Sequence, residues 1–468
     1  MAPLFIKVPL TAQCCSTNEV FDAFSRIRTI ELNVKGIVDL NLEPRFPKEA
    51  PILQRIVFRN HEALQQEPDI ILPGEENLCD SPIPGVFDHC PLPALTSLSI
   101  EGFTPDWRNH LFAPTLTDIT VRITSENKYG TGCMFDALNQ MKNLRLLDLT
   151  LECASLDWLT RQTRQVSLPK LEDLALHASM ESCVYLFERL EFPPTTAVSV
   201  DILGAPRASL LLSSLFETVC SRLSVASAPR ILTVALWDND HIHTIEPRNH
   251  FAFWDQTIDT RVFRSSQPTV KPLFHIEITC VQDPLALLTM GISMGPVSNA
   301  HVLFIGTYVE RFYHREDYGE LLKESMPRVH TLHLRPPDMV TLERMCRVHK
   351  SEVTNETQPL FPCLHVLVLS ELCFDRDSVW GLKRALRERK RSGHSIHTLE
   401  LLQCETLESG DVDSFRKHVD EVLWQGEEGP SDDEDRRDDE SRLLRGGLRG
   451  IRRRGFRRRG LKKKFVFS

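Results

Sequence analysis

Apolar residues recur along this chain in one short phrase, at positions i, i+3 and i+5. Before residue 180 it reads Ile27-Ile30-Leu32, Leu53-Ile56-Phe58, Leu95-Leu98-Ile100, Leu116-Ile119-Val121, Leu144-Leu147-Leu149 and Leu171-Leu174-Leu176. It returns late as Val329-Leu332-Leu334, Leu364-Leu367-Leu369 and Ile396-Leu399-Leu401. The last two apolar residues of each phrase share one face of a short strand, and the first packs into the turn before it. Between about 200 and 325 the phrase blurs. Ile231-Val234-Leu236 still fits it, and Phe274-Ile276-Ile278 and Val302-Phe304 alternate as strands do. One such unit cannot bury its own apolar face, whereas a stack of them forms a continuous core.

The phrase is the strand half of a leucine-rich repeat. Successive first residues are 26, 42, 21, 28 and 27 positions apart in the first part of the chain, against about 20–29 for such repeats. The expected fold is therefore α/β: a leucine-rich-repeat solenoid over residues 1–425, with a curved parallel sheet on one face and short helices or loops on the other. Stretches near 65–93 and 237–272 read as inserted loops, the first rich in Pro, Glu and Asp, the second irregular, aromatic and polar. Helices are expected over Met134–Met141, Glu181–Leu190, Leu210–Val225, Val340–His349, Asp377–Arg391 and Asp411–Trp424. In the Asp377 segment, Val379, Leu382 and Leu386 form one apolar stripe, with Asp377 or Ser378 as N-cap and Gly393 as stop.

Composition changes the picture mainly at the C-terminus. Residues 426–440 are an acidic linker opposed only by Arg436 and Arg437, and residues 441–468 form a basic Arg/Gly/Lys tail. Neither buries enough apolar surface to offset ordering, so both are expected to be disordered. From Arg442 onward there are twelve Lys or Arg and no acid, so the net charge of -9 leaves about -21 for the rest. No apolar stretch approaches membrane-span length, and the first residues lack a secretory leader. Thirteen cysteines without a C-x-x-C spacing read as scattered thiols of a reduced compartment, cytoplasmic or nuclear.

Several stretches resemble the F-box and leucine-rich-repeat proteins of mushroom-forming (basidiomycete) fungi. They are Ala2-Pro3-Leu4-Phe5-Ile6 with Phe24 to Ile30, Gln140 to Leu144 running to Leu168-Pro169-Lys170-Leu171, Leu190 to Thr196, and Gly393 to Leu399 with Val422-Leu423-Trp424. Together they span nearly all of residues 1–425. The resemblance implies the substrate-binding part of an adaptor for an SCF-type ubiquitin ligase, in which an F-box holds a Skp-type linker and the repeats select the protein to be modified. The F-box itself is apparently absent: no Leu-Pro start and apolar helix precede Phe21. A Skp-type linker is therefore an expected partner only if a missing F-box exists. The basic tail is no part of the family pattern.

Candidate chemistry is sparse. Asp238, Asp240, His241, His243 and His250 include a His-x-His pair that would suit a metal. No third ligand stands at a diagnostic spacing, so a polar loop is the preferred reading. Gly130-Thr131-Gly132 lacks the further glycine or Lys-Ser/Thr of a nucleotide loop and reads as a turn. Among the tryptophans, Trp158 and Trp380 adjoin apolar stripes and are assigned to the core. Trp237 and Trp254 flank the irregular stretch and are assigned more readily to recognition, and Trp107 is left open. No catalytic residue, cofactor or metal is expected.

The function these readings favour is protein–protein recognition, with a protein substrate or partner on the concave face. The candidate contact residues are solvent-facing positions between the apolar ones: Thr29, Glu31, Ser97, Ser99, Asp118, Thr120, Asp148, Asp173, His333 and His365. The alternative is a nuclear or RNA-associated protein working through Arg452, Arg453, Arg454, Arg457, Arg458, Arg459, Lys462, Lys463 and Lys464. That tail suits an importin, nucleic-acid phosphates or the acidic run beside it.

Overall fold

Each phrase becomes a strand because its alternation gives one face to a shared core and the other to a second environment. The computed structural model describes residues 4–10, 24–34, 49–61, 83, 87, 90–123, 131–151, 164–203, 209–225, 228–238, 248–259, 261, 270–279, 284–306, 317–335, 342, 348–350 and 357–425. The chain divides into two units, Met1–Gln425 and Gly426–Ser468. The acidic linker and the basic-tail residues named above lie outside the described residues.

The strands, in chain order, are β1 (Leu4–Leu10), β2 (Ile27–Val34), β3 (Arg55–Asn60), β4 (Ser97–Glu101), β5 (Asp118–Ile123), β6 (Leu146–Leu151), β7 (Val166–Ser167), β8 (Asp173–Ala178), β9 (Leu190–Glu191) and β10 (Ala197–Ile202). They continue with β11 (Thr233–Asp238), β12 (Arg248–Trp254), β13 (Phe274–Thr279), β14 (Val302–Gly306), β15 (Thr331–Leu334), β16 (Val348–Lys350), β17 (Thr357–Pro359), β18 (Val366–Ser370), β19 (Thr398–Leu402) and β20 (Glu421–Gln425). The helices are α1 (Thr131–Gln140), α2 (Met180–Arg189), α3 (Ser209–Leu223), α4 (Pro284–Met294), α5 (Asp317–Ser325), α6 (Arg376–Arg391) and α7 (Ser409–Arg416).

Sixteen strands form one sheet, in the order β1-β2-β3-β4-β5-β6-β8-β10-β13-β12-β11-β14-β15-β18-β19-β20. All pairings are parallel except those of β12, which runs antiparallel to β11 and β13. The chain is thus an α/β protein built on a large, mostly parallel sheet. Two small pairs, β7 with β9 and β16 with β17, stand apart from it.

The register is set by the apolar phrases. One unbroken row, one residue per strand, runs Ile6, Ile30, Ile56, Leu98, Ile119, Leu147, Leu174, Val198, Phe274, Phe253, Val234, Leu303, Leu332, Leu367, Leu399, Val422. From Ile30 to Leu399 every member is buried. A second row, two residues along, runs in the same way from Leu32 to Leu401. Apolar residues of all seven described helices, among them Phe135, Phe187, Phe216, Leu287, Leu322, Leu386 and Phe415, join both rows in one core. The other face of the sheet carries no described helix in its smaller apolar cluster.

Several sequence expectations need correction. Residues 237–272 are not wholly an inserted loop, because β12 is a central strand; its Phe251 and Phe253 occupy the two core rows. The helix expected over Asp411–Trp424 ends at Arg416, and Glu421–Gln425 is the edge strand β20, since Val422 and Trp424 extend the rows begun by Leu399 and Leu401. Helices α4 and α5 were not expected from the pattern. The N-cap of α6 is Asp375, whose side chain accepts from the Ser378 backbone N–H at 2.7 Å, and not Asp377 or Ser378. Gly393 does close that helix, with φ at +81°. Its N–H and that of His394 donate back to Lys390 and Arg389 carbonyls, satisfying two end groups. Trp380 is 59% exposed rather than core, while Trp237 and Trp254 are buried. Trp158 and most of residues 65–93 and 340–349 lie outside the described residues; Val348–Lys350 is strand β16.

Candidate recognition surface

The residues between the two apolar rows project from the opposite side of the sheet, called here the outer face. Backbone register aligns Thr29, Ser97, Asp118 and Asp173 in one outer row, along with Arg55 and Leu146. Glu31, Ser99, Thr120 and Asp148 fall in the next row, with Val57 and Ala175. Most of these are half-buried; Ser99 is buried. His333 continues the second row but is 0% exposed, contrary to the solvent-facing position expected of it. Its Nε2 meets Ser370 Oγ at 2.7 Å and its ring lies edge-on to Phe304. His365 is exposed, one residue before β18, and belongs to a rim row rather than to the strand face.

From β1 to β13 the outer face is polar and largely self-paired. Glu31 bridges Lys7 at 2.9 Å and Arg59 at 2.7 Å, and Arg59 continues to Glu101 at 3.1 Å. The Lys7 ammonium and the Arg59 guanidinium hold the Glu31 carboxyl below the usual range. His177 lies between two carboxylates, 3.2 Å from Asp201 and 3.8 Å from Asp148. Its hydrogen bond to Asp201 pushes the imidazole pKa up, whereas burial pushes Asp148 up. Arg248 pairs with Glu277, and Lys271 with Asp173.

Beside this network sits a hydrogen-bonded chain, Ser199 Oγ to His275 Nδ1 at 3.3 Å and His275 Nε2 to His250 Nδ1 at 3.2 Å. The two imidazoles are parallel within 3°, and the Trp237 ring lies nearly parallel to both. The order serine, histidine, histidine has the outline of a nucleophile relay, but its electrostatics are wrong for one. Burial, then the neighbouring His250, pushes His275 down to about 3, far below a working base at neutral pH. The buried thiols Cys183 and Cys220 are each pushed up to about 12 by burial, which leaves them inert. Among the described residues no group of three or more His, Cys, Asp or Glu is arranged to hold a metal ion. Of the sequence's metal candidates, His250 is committed to this stack and Asp238 ends β11; Asp240, His241 and His243 lie outside the described residues.

Across β12, β11 and β14 the outer face carries an apolar, covered cluster. Ala235, Trp237, Ala252, Trp254 and Phe304 pack with Ile258 and Val270 from the segment that follows β12. Gly306 is required here, because a Cβ would stand 2.6 Å from the Phe304 ring. Thr233 Oγ1 donates to the Gln256 carbonyl at 2.8 Å and accepts from the Ile258 N–H at 3.1 Å. Arg261 then grips Glu400, on β19, through Nη2 at 2.8 Å and Nε at 3.2 Å.

A further row of side chains lies along the rim of the sheet. His301, His330, His365 and His397 each directly follow the position of the first apolar residue of a phrase, and their rings form a rim ladder with centroids 4.9, 5.7 and 5.1 Å apart. Aligning that one column of the repeats would have revealed it.

No protein-family model matches the chain, and no curated protein matches its sequence significantly. No described helix is long and apolar enough to cross a membrane.

Proposed function

We propose that this chain is a leucine-rich-repeat solenoid that recognises a protein partner through the outer face of its sheet, as the substrate-binding part of an SCF-type F-box adaptor does. The observation that carries the reading is the pair of unbroken apolar rows joined in one core to all seven described helices. Burying them fixes the sixteen strands of the sheet in register, and no described helix joins the apolar cluster on the opposite face. Those rows present side chains of mixed charge at a strand spacing of about 4.8 Å, a form suited to an extended protein surface rather than to a small molecule. The chemistry supports binding over catalysis: in the Ser199–His275–His250 chain the would-be base His275 is pushed far down by burial, and burial pushes the Cys183 and Cys220 thiols up to about 12. A Skp-type linker enters only through an F-box, and the working compartment would be cytoplasm or nucleus.

The test is site-specific photo-crosslinking from the full chain in its native cells. A photoreactive residue at Thr120, on the outer face, should trap a discrete protein that one at exposed Arg387, on α6, does not. Equal trapping from both positions, or trapping from Arg387 alone, would contradict the reading.

A further inference from the structure

Three residues that follow one another along the rim of the sheet, His365, His397 and Asp420, are held at successive rungs by their backbones. The His365 carbonyl accepts the N–H groups of His397 and Thr398 at 2.9 and 3.0 Å, and the His397 carbonyl accepts those of Asp420 and Glu421 at 3.1 and 2.8 Å. The side chains repeat that order. The His365 and His397 rings have centroids 5.1 Å apart with their planes at 67°, and His397 Nδ1 lies 2.6 Å from Asp420 Oδ2.

We propose that His365 and His397 form a two-imidazole binding site for a divalent, zinc-type metal ion, in which Asp420 orients His397 and the remaining coordination positions are open to water.

The spacing suits the ion. Zinc stands about 2.1 Å from a ligating imidazole nitrogen, hence about 3.2 Å from the ring centre, so two rings at the tetrahedral angle have centres about 5.2 Å apart. Asp420 settles the tautomer. A carboxylate only accepts, so Nδ1 of His397 carries a proton, and in the neutral ring Nε2 keeps its lone pair for a metal. A ligating histidine whose second nitrogen donates to a carboxylate is fixed in orientation and made a more basic ligand. The His397–Asp420 contact does little for stability, because side chains 57% and 62% exposed gain almost nothing from pairing. His365 is exposed, and among the described residues its ring makes aromatic contacts only with His330 and His397, so it can turn a nitrogen towards the same ion. No third described His, Cys, Asp or Glu completes the set, which leaves two positions of a tetrahedral ion to solvent. The other close pair, His301 with His330 at 4.9 Å, has no described carboxylate behind either ring.

The test uses the full chain as wild type, His365→Gln, His397→Gln, Asp420→Asn, Asp420→Glu and, as a control on the same ladder, His301→Gln. Titration calorimetry with Zn2+ gives the affinity, and mass spectrometry after diethylpyrocarbonate labelling shows which histidines the ion shields. In the wild type, Zn2+ should slow the labelling of both His365 and His397. Each of His365→Gln and His397→Gln should weaken the site by at least about tenfold, and Asp420→Asn by about tenfold. Asp420→Glu, which keeps a carboxylate, and His301→Gln should stay within about threefold of wild type. Circular dichroism checks that each variant keeps the fold. Labelling of His365 and His397 indifferent to Zn2+, or an affinity unchanged by both of their glutamine variants, overturns the site. An equal loss in His301→Gln contradicts a two-ring site, and wild-type affinity in Asp420→Asn overturns the orienting role of Asp420.

Discussion

His177 Nδ1 lies 3.2 Å from Asp201 Oδ2, on the strand next to its own, while its other nitrogen faces Asp148 at 3.8 Å. With carboxylates on both sides, the ring is best satisfied as an imidazolium with two donors. Two and three strands further on, His275 and His250 face the opposite demand, since burial holds both neutral. The same face thus contains histidines whose titration works in opposite directions.

The signs follow from linkage. His177 has a folded pKa raised above about 6.5, the ordinary histidine value. Its contribution is complete below that value and is lost as pH rises through the folded pKa. His250 and His275 have lowered folded pKa values, so the unfolded chain takes up protons that the fold refuses. Their effect is a loss of stability below about 6.5, continuing for His275 towards its value of about 3. Urea midpoints at pH 5 and 7.5 should therefore diverge by variant. His177→Gln steepens the loss of stability towards acid, and His275→Gln makes it shallower. The same slope in both variants would contradict this assignment.

The two core rows predict a sharp asymmetry along single strands. Leu147→Ala, which empties a fully buried position between Ile119 and Leu174, should cost about 2–5 kcal/mol. Thr120→Ala, half-exposed on the outer face, should stay within about 0.5 kcal/mol. Chemical denaturation measures both, and similar costs would mean the outer face is buried like the core.

Helix α6 is bounded by two separable devices. Asp375→Ala removes the acceptor for the Ser378 N–H and should cost about 1 kcal/mol. Gly393→Ala meets no atom within 4 Å, so any cost is conformational, from placing a side chain at φ +81°. A loss of about 1–2 kcal/mol is expected there, again from denaturation midpoints. No loss at Gly393 would show that the helix end relaxes.

Much of this architecture could be read from the chain because strand and core share one signal. Leu144-Leu147-Leu149 and its kin mark both where a strand lies and which face is buried, and the register then follows from burying the same positions in neighbours. Strand β12 was illegible for the converse reason. His250 is polar yet buried on the outer face, stacked against Trp237 and His275, while Asn249 is polar yet buried on the core face, two residues before Phe251, so alternation no longer separates inside from outside. Trp254 was misassigned on the same account. Trp380 misled in the other direction: it sits beside an apolar stripe on α6, but turns outward towards Arg384, 5.5 Å from its ring centroid. The outer-face placement of Thr29, Glu31, Ser97, Asp118, Thr120, Asp148 and Asp173 followed from alternation alone; Ser99 lies on that face too but is buried rather than solvent-facing, its hydroxyl donating to Glu101. The pairing of His177 with Asp201, and the contact of Arg261 with Glu400 across 139 positions, required the strand order, which periodicity does not encode.

The central claim is that the outer face of the sheet, opposite the described helices, is where a protein partner docks. Its most direct measurement is the affinity of the partner trapped from Thr120 for two full-chain variants, Asp118→Arg with Thr120→Arg on the outer face, and Arg387→Glu on α6. The account predicts that the outer-face pair weakens binding by about tenfold or more while the helix variant leaves it unchanged. Unchanged binding by the outer-face pair, or a loss confined to Arg387→Glu, would contradict it.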